Sequence, residues 1–290
     1  VKALVLSGGG SKGPFHAGFC RRAIGELKTQ YDILCGVSVG ALIAVFLAQY
    51  KHGEEVEAAK ALDDLFLNIE NKDVWKRWFL VGKVAGLWES SLLNSKPLQK
   101  LVRSRLDVEK VKSSGKLLRL GAVSLTQGKY VVHSECSTDI ASVALASAAF
   151  PGFLLPIKML DQWWVDGGVQ QVTPIKAAID AGATEIDVVV TEPKDASFGI
   201  DRKPEALDVF LRSLELMTHH IAWVDVKYAE RVNELVKAGK MPGKRVVKLR
   251  VACPDRVLNH DSLNFDPKEA KDIALAGYKA AVQLESLIIL

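Results

Sequence analysis

Three short stretches of this chain carry residue types suited to acyl transfer. In Gly36-Val-Ser38-Val-Gly40 a serine sits between glycines, after one apolar run and before another. On a tight strand-to-helix turn such a serine presents its hydroxyl above the sheet, and Gly36 and Gly40 leave room for neighbouring chain. The helix behind it favours negative charge developing there. The pattern makes Ser38 a candidate nucleophile; the plainer alternative is a glycine-rich turn. Upstream, Gly8-Gly9-Gly10-Ser-Lys12-Gly13 also follows an apolar run. Consecutive glycines expose several N–H groups with no Cβ in the way, a nest for a phosphate or an oxyanion. The third stretch, Asp166-Gly167-Gly168, ends an aromatic run. A carboxylate freed there by two glycines can act as a base, although alone it reads equally as an Asp-Gly turn. Each stretch is expected at the C-terminal end of a parallel strand, where α/β sheets gather their ligands. An anion hole, a nucleophile and a base in one crevice form an acyl-transfer site.

Competing chemistries are weaker. As a phosphate loop the glycine stretch fails, because Gly13 is followed by Pro14. As a dinucleotide fingerprint, Gly8-x-Gly10-x-x-Gly13 fits. The acidic partner that an oxidoreductase needs about 20 residues on, at the end of the second strand, is missing. A hydrolase triad would need a histidine after the acid. His219 and His220 fall in a helical run and suit a packing role, which leaves His260, in a loop, as the triad candidate against a Ser–Asp dyad. His16 lies on the helix after the glycines.

The elements that must position these residues follow a regular beat. Val1–Leu6 reads as a buried strand, 14–27 as a helix, 33–35 as a strand and 41–48 as a helix apolar all round. Such alternation predicts a parallel α/β sheet. Residues 54–70 form an amphipathic helix with Val56, Ala59, Leu62, Leu65, Phe66 and Ile69 inward. A further helix covers 97–106, a hairpin 116–134, a small-residue helix 140–149 and an aromatic strand 163–165. Beyond these come a helix to Ala181, a strand at 185–190, a long helix over 204–238, a strand at 245–251 and a closing helix over 267–287. The expected fold is one α/β domain over residues 1–290, three layers with a mainly parallel central sheet flanked by helices. Residues 73–93, with Trp75, Trp78, Phe79, Val81 and Trp88 among Lys76, Arg77 and Lys83, read either as a lid resting on anionic lipid or as a core-packed segment.

Composition sets the outer limits. With 49% hydrophobic and 25% charged residues the chain is ordinary globular material. A net charge of +4 is too balanced to argue for nucleic acid. Cys20, Cys35, Cys136 and Cys253 are scattered with no C-x-x-C, so they read as reduced, mostly buried thiols. No cluster suggests a metal, and ester hydrolysis needs no cofactor. No window reaches the roughly 18 apolar residues of a membrane span. The expected location is the cytoplasm or the periphery of a membrane surface. Export stays open because the chain starts at Val1.

The three stretches, in this order, resemble the patatin family of lipid acyl hydrolases. Ala146-Ser-Ala-Ala-Phe-Pro151-Gly-Phe and Asn264-Phe-Asp-Pro-Lys-Glu269 agree with it, so the resemblance runs over nearly the whole chain. It implies a fold related to α/β-hydrolases and a Ser–Asp dyad with Ser38 as nucleophile and Asp166 as base. It also implies an oxyanion hole of backbone amides from Gly8, Gly9 and Gly10 with Lys12 or Gly13. Gly36, Gly40, Gly167 and Gly168 support the turns, and the implied substrate is a phospholipid or monoacyl lipid. An apolar wall of Trp163, Trp164 or Phe153 is expected to raise the basicity of Asp166. One departure stands out. Family members often carry Asn between the Asp-Gly-Gly turn and a Pro, where this chain has Val169-Gln-Gln-Val-Thr-Pro174, and Gln171 is the expected substitute. The remaining alternative is a lipid-binding module without activity.

Overall fold

In the computed structural model, which describes residues 1–78, 89–195, 205–258 and 261–286, an eight-stranded sheet runs through the molecule. The strands are β1 (Lys2–Leu6), β2 (Ile33–Val37), β3 (Leu117–Ser124), β4 (Lys129–Ser134), β5 (Ile157–Met159), β6 (Gln162–Asp166), β7 (Glu185–Val189) and β8 (Lys248–Ala252). Their order is β5-β6-β3-β2-β1-β7-β8, with β4 also on β3. The five strands from β3 to β8 along that path are parallel, and β4, β5 and β6 join antiparallel. The short β5 carried no sequence signal.

Alternation along β1 defines the layers. Leu4 and Leu6 enter one apolar core, Ala3 and Val5 the other. The first core is covered by α1 (Gly13–Cys20), α2 (Val39–Leu47), α3 (Glu55–Phe66), α6 (Val108–Ser113), α7 (Ile140–Ser147) and α10 (Pro267–Ser286). The second lies under α8 (Ile175–Asp180) and α9 (Ala206–Lys237). Two short helices, α4 (Asn71–Val74) and α5 (Lys96–Arg105), build a smaller apolar cluster beside α7. α1 and α10 cross closely enough that a Cβ on Gly18 would overlap the Ala274 carbonyl, and one on Gly277 the Phe15 carbonyl.

Four expectations change. β6 is antiparallel to β3, so the acidic stretch does not end a parallel strand. β3 pairs β4 along residues 119–124, β2 along 117–121 and β6 along 122–124. β2 and β6 must therefore share the edge of β3 opposite β4, and they meet end to end there. Val37 sits against Gly121 and Asp166 against Ala122. The helix expected over 14–27 leaves α-geometry at Cys20 and closes with a wider π-type turn, Arg21–Glu26, in which Leu27 N–H reaches the Arg22 carbonyl. In α3 the inward position belongs to Ala58, while Val56 is 54% exposed. Of the four unpaired cysteines only Cys20 and Cys35 are buried; Cys136 is exposed.

Candidate active site

Ser38 is the first residue past β2 and holds φ 58° and ψ −131°. Such a conformation costs an L-residue on the order of 1–3 kcal/mol, and tertiary contacts must hold it. The flanking glycines are explained by close approach: a Cβ on Gly36 would overlap the Gly40 carbonyl, and one on Gly40 the carbonyl of Leu6. Ser147 of α7 secures the turn. Its Oγ accepts from Ser38 N–H at 3.0 Å and donates to the Gly121 carbonyl at 2.6 Å. The fully buried Ser147 thus ties the serine turn to β3, the strand that also carries β6. Ser147→Ala removes the partner of Ser38 N–H and a donor to the Gly121 carbonyl. It is expected to lower unfolding free energy by on the order of 2 kcal/mol. An unchanged denaturant midpoint would count against the tie.

Asp166 ends β6, 2% exposed. Its Oδ1 accepts from Gly168 N–H at 2.7 Å. Its Oδ2 is buried and has no hydrogen-bond partner among the described residues. The Ser38 hydroxyl lies near enough to draw the carboxyl's pKa down without completing a hydrogen bond, and the Gly168 amide acts the same way. Burial outweighs both and pushes Asp166 up to about 7. Ala148, Phe150, Leu154 and Val172 line the cavity with Asp166. Of the aromatic residues expected near the acid, Trp163 is 46% exposed, Trp164 is buried and donates its indole N–H to the Met159 carbonyl, and Phe153 stacks on Phe150.

The glycine loop can be resolved amide by amide. Gly8 N–H donates to the Val172 carbonyl at 3.2 Å, Lys12 N–H to Gly9 at 3.1 Å, and Gly13 N–H to Gly10. Only the amides of Gly9 and Gly10, among the six residues from Gly8 to Gly13, make no hydrogen bond within the described chain, since Ser11 N–H donates to the Ser262 carbonyl at 2.8 Å. Gly10 holds φ +56°, which glycine adopts freely. Thr191 Oγ1 donates to the Gly8 carbonyl at 2.8 Å and stitches the loop to the end of β7. The Lys12 ammonium is not free: it pairs with Glu192 in a nearly buried ion pair.

Gly8, Gly9, Gly10, Ser38, Asp166 and Gly168 open onto one cavity of about 770 Å³. Its apolar lining includes Leu42, Phe66, Ile69, Val74 and Leu98 from the segment spanning α2 to α5, and Glu192, Arg212, Glu215 and Asp261 also line it. No described histidine lines it. His16 is buried, its Nε2 on the Ser7 carbonyl, and burial pushes it down to about 4. His219 bonds the Pro193 carbonyl, and His260 lies outside the described residues. So do Phe79, Val81, Lys83 and Trp88 of the expected lid. Of that segment's described part, Trp75 and Trp78 donate to the carbonyls of Leu263 and Ser91. Among the described residues no group of acids, histidines and cysteines is arranged to hold a metal, and no helix is long and apolar enough to cross a membrane.

Sequence reasoning overlooked Ser147 and Asp225. Asp225, on α9, accepts from Val172 and Thr173 N–H at 3.0 and 2.9 Å through one oxygen, and the Gln171 side chain reaches it too. A serine within a small-residue helix and an acid within a charged helix carry no local mark of such roles.

A serine turn, two open amides and a buried carboxylate on a mixed α/β sheet agree with what residues 4–179 match as a sequence, the patatin-like phospholipases. The chain belongs to the patatin-like phospholipase family. It is 26% identical over 198 residues to the cGAMP-activated phospholipases of Escherichia coli (strain TW11681) and Vibrio cholerae serotype O1. Those matches cover 60% of this chain and 53% and 55% of the two relatives, so the chain spans about half their length. The crystal structure of VipD from Legionella pneumophila aligns over 98% of this chain and 66% of its own, with a TM-score of 0.46 and 14% identity.

Proposed function

We propose that this chain is a lipid acyl hydrolase that works through a Ser38–Asp166 dyad and an acyl-enzyme. The observation that carries this reading is the buried Asp166 Oδ2, without a partner among the described residues, beside the Ser38 hydroxyl in the cavity that Gly9 and Gly10 also line. Asp166 takes the hydroxyl proton as Ser38 attacks the ester carbonyl. The amides of Gly9 and Gly10 stabilise the oxyanion, and the narrower pair replaces the five residues expected from the sequence. Collapse expels the alcohol, which leaves with the proton held by Asp166. Water, deprotonated by Asp166, then attacks the acyl-serine, and the acid and free Ser38 are regenerated.

A carboxylate near its ordinary pKa of 3.8 is a poor base for an alcohol; one pushed to about 7 is matched to neutral pH. The apolar lining of the cavity suits an acyl chain and its charged groups a headgroup, which supports phospholipid or lysophospholipid as substrate. Cyclic dinucleotide activation is a property of the named relatives, and nothing in this cavity favours extending it here. The test is mass spectrometry after a serine-directed fluorophosphonate. A single adduct on Ser38 is expected; a folded protein with no adduct would instead support a lipid-binding module without activity.

A further inference from the structure

The stretch Val169–Pro174 lacks the asparagine that the family resemblance leads one to expect, yet the chain there is firmly held. The hold comes from α9, outside the residues that match the family. Asp225 Oδ2 accepts from both Val172 N–H and Thr173 N–H, and Thr173 Oγ1 donates to the Ala222 carbonyl on the same helix at 3.3 Å. Val172 is bonded on both sides, because its carbonyl accepts from Gly8 N–H. Gly8 in turn abuts the nucleophile: a Cβ there would lie 3.2 Å from Ser38 Cβ. Upstream, Gln170 and Gln171 N–H both close on the Gly167 carbonyl, so the acid's turn and Val172 form one short rigid piece.

We propose that Asp225 is a positioning residue for the Ser38–Asp166 pair: by clamping Val172 and Thr173 it keeps the acid's turn and the glycine loop in one register. Asp225 touches neither reacting group, and its effect passes through Val172. Two parts of the site that come from distant strands, the anion-binding loop after β1 and the carboxylate after β6, are thereby joined through one peptide unit. Gln171, whose side chain reaches Asp225, adds to the clamp rather than replacing it.

The inference rests on the dyad reading, and the experiment separates the two. Fluorophosphonate labelling of Ser38 and steady-state hydrolysis of a soluble short-chain ester are measured for wild type, Asp225→Ala and Asp225→Asn. Labelling of wild type tests the dyad itself. Given that labelling, Asp225→Ala is expected to lose about tenfold or more in labelling rate and kcat with KM nearly unchanged, because small misplacements of reacting groups cost that much. Asp225→Asn, which keeps an acceptor oxygen, is expected to recover most of the rate. Tyr31→Phe removes a hydrogen bond to buried Asp187 and serves as a stability control. It should lower Tm without slowing Ser38. Equal labelling of wild type and Asp225→Ala would overturn the proposal, as would an Asp225→Asn protein as slow as the alanine variant. Should Asp225→Ala fail to fold, Asp225→Glu, with its acceptor displaced by one methylene, carries the same comparison: slow labelling supports the clamp and wild-type labelling rejects it.

Discussion

Asp166→Asn is expected to lower ester turnover by about 10³-fold, the scale on which general-base catalysis contributes, and to make the protein more stable at pH 8. The second effect follows from the first residue's burial. Asp166 titrates at about 7 in the folded chain against an ordinary 3.8. Between those values the folded state binds the proton more tightly than the unfolded state, so this group's contribution falls as pH rises through the window and is constant above it. Each pKa unit corresponds to about 1.4 kcal/mol, which puts the cost of holding the carboxylate ionised at on the order of 4 kcal/mol above pH 7. Asparagine escapes that cost. Its stability advantage should vanish near pH 4, widen up to pH 7 and then stay level. Urea unfolding of both proteins at pH 4, 6 and 8 measures it, and the difference cancels opposite contributions such as neutral His16. A gap that does not widen with pH would remove the buried carboxylate from the account. Wild-type turnover should rise with pH through about 7 as Asp166 ionises.

Gly40→Ala is expected to be nearly as damaging by a different route. The new methyl meets the carbonyl of Leu6 and lies 2.6 Å from that of Ser7. Both belong to backbone at the end of β1, which is pinned by pairing on either side. No flexible side chain can yield, so α2 must move outward and take Ser38 with it. Overpacking of this kind costs about 3 kcal/mol, and a shift of the nucleophile by an ångström costs about 10²-fold in rate. Thermal unfolding and the rate of Ser38 labelling together check this. A variant as stable and as reactive as wild type would show that Gly40 is not needed for close approach.

Much of the site was legible before the structure because its chemistry demands unusual local sequence. Only glycines tolerate the crowding at Gly36 and Gly40 or leave amides open at Gly9 and Gly10, and those residues announce themselves. The alternation of short apolar runs and helical spacing in the first 48 residues likewise survives as β1, α1, β2 and α2. What stayed hidden depends on pairing between distant segments. Gln162–Asp166 has the same composition whichever way it runs beside β3, so its antiparallel sense had no signal. Val56 and Ala58 lie on nearly opposite sides of one amphipathic helix, and only the packing of α3 decides which is covered. The amides of Gly8 and Lys12 looked as open as those of Gly9 and Gly10 until Val172 and the loop's own carbonyls claimed them. Ser147 and Asp225 act on residues 26 to 109 positions away, beyond the reach of any local pattern.

The meeting of β2 and β6 on one edge of β3 also has a consequence for folding. Ser38 and Asp166 come from strands that never bond each other, and their separation is set by a third strand lying between them in the chain. Contacts of such long sequence separation close late, because the chain entropy they cost is recovered only when the intervening elements are in place. A chain in which only β1, α1, β2 and α2 had docked would lack the base, and with it Ser147, Val172 and Thr191, which hold the serine turn and the glycine loop. Reactivity at Ser38 therefore reports docking of the strand that carries the base, and a pulse of fluorophosphonate during refolding would time the arrival of β6.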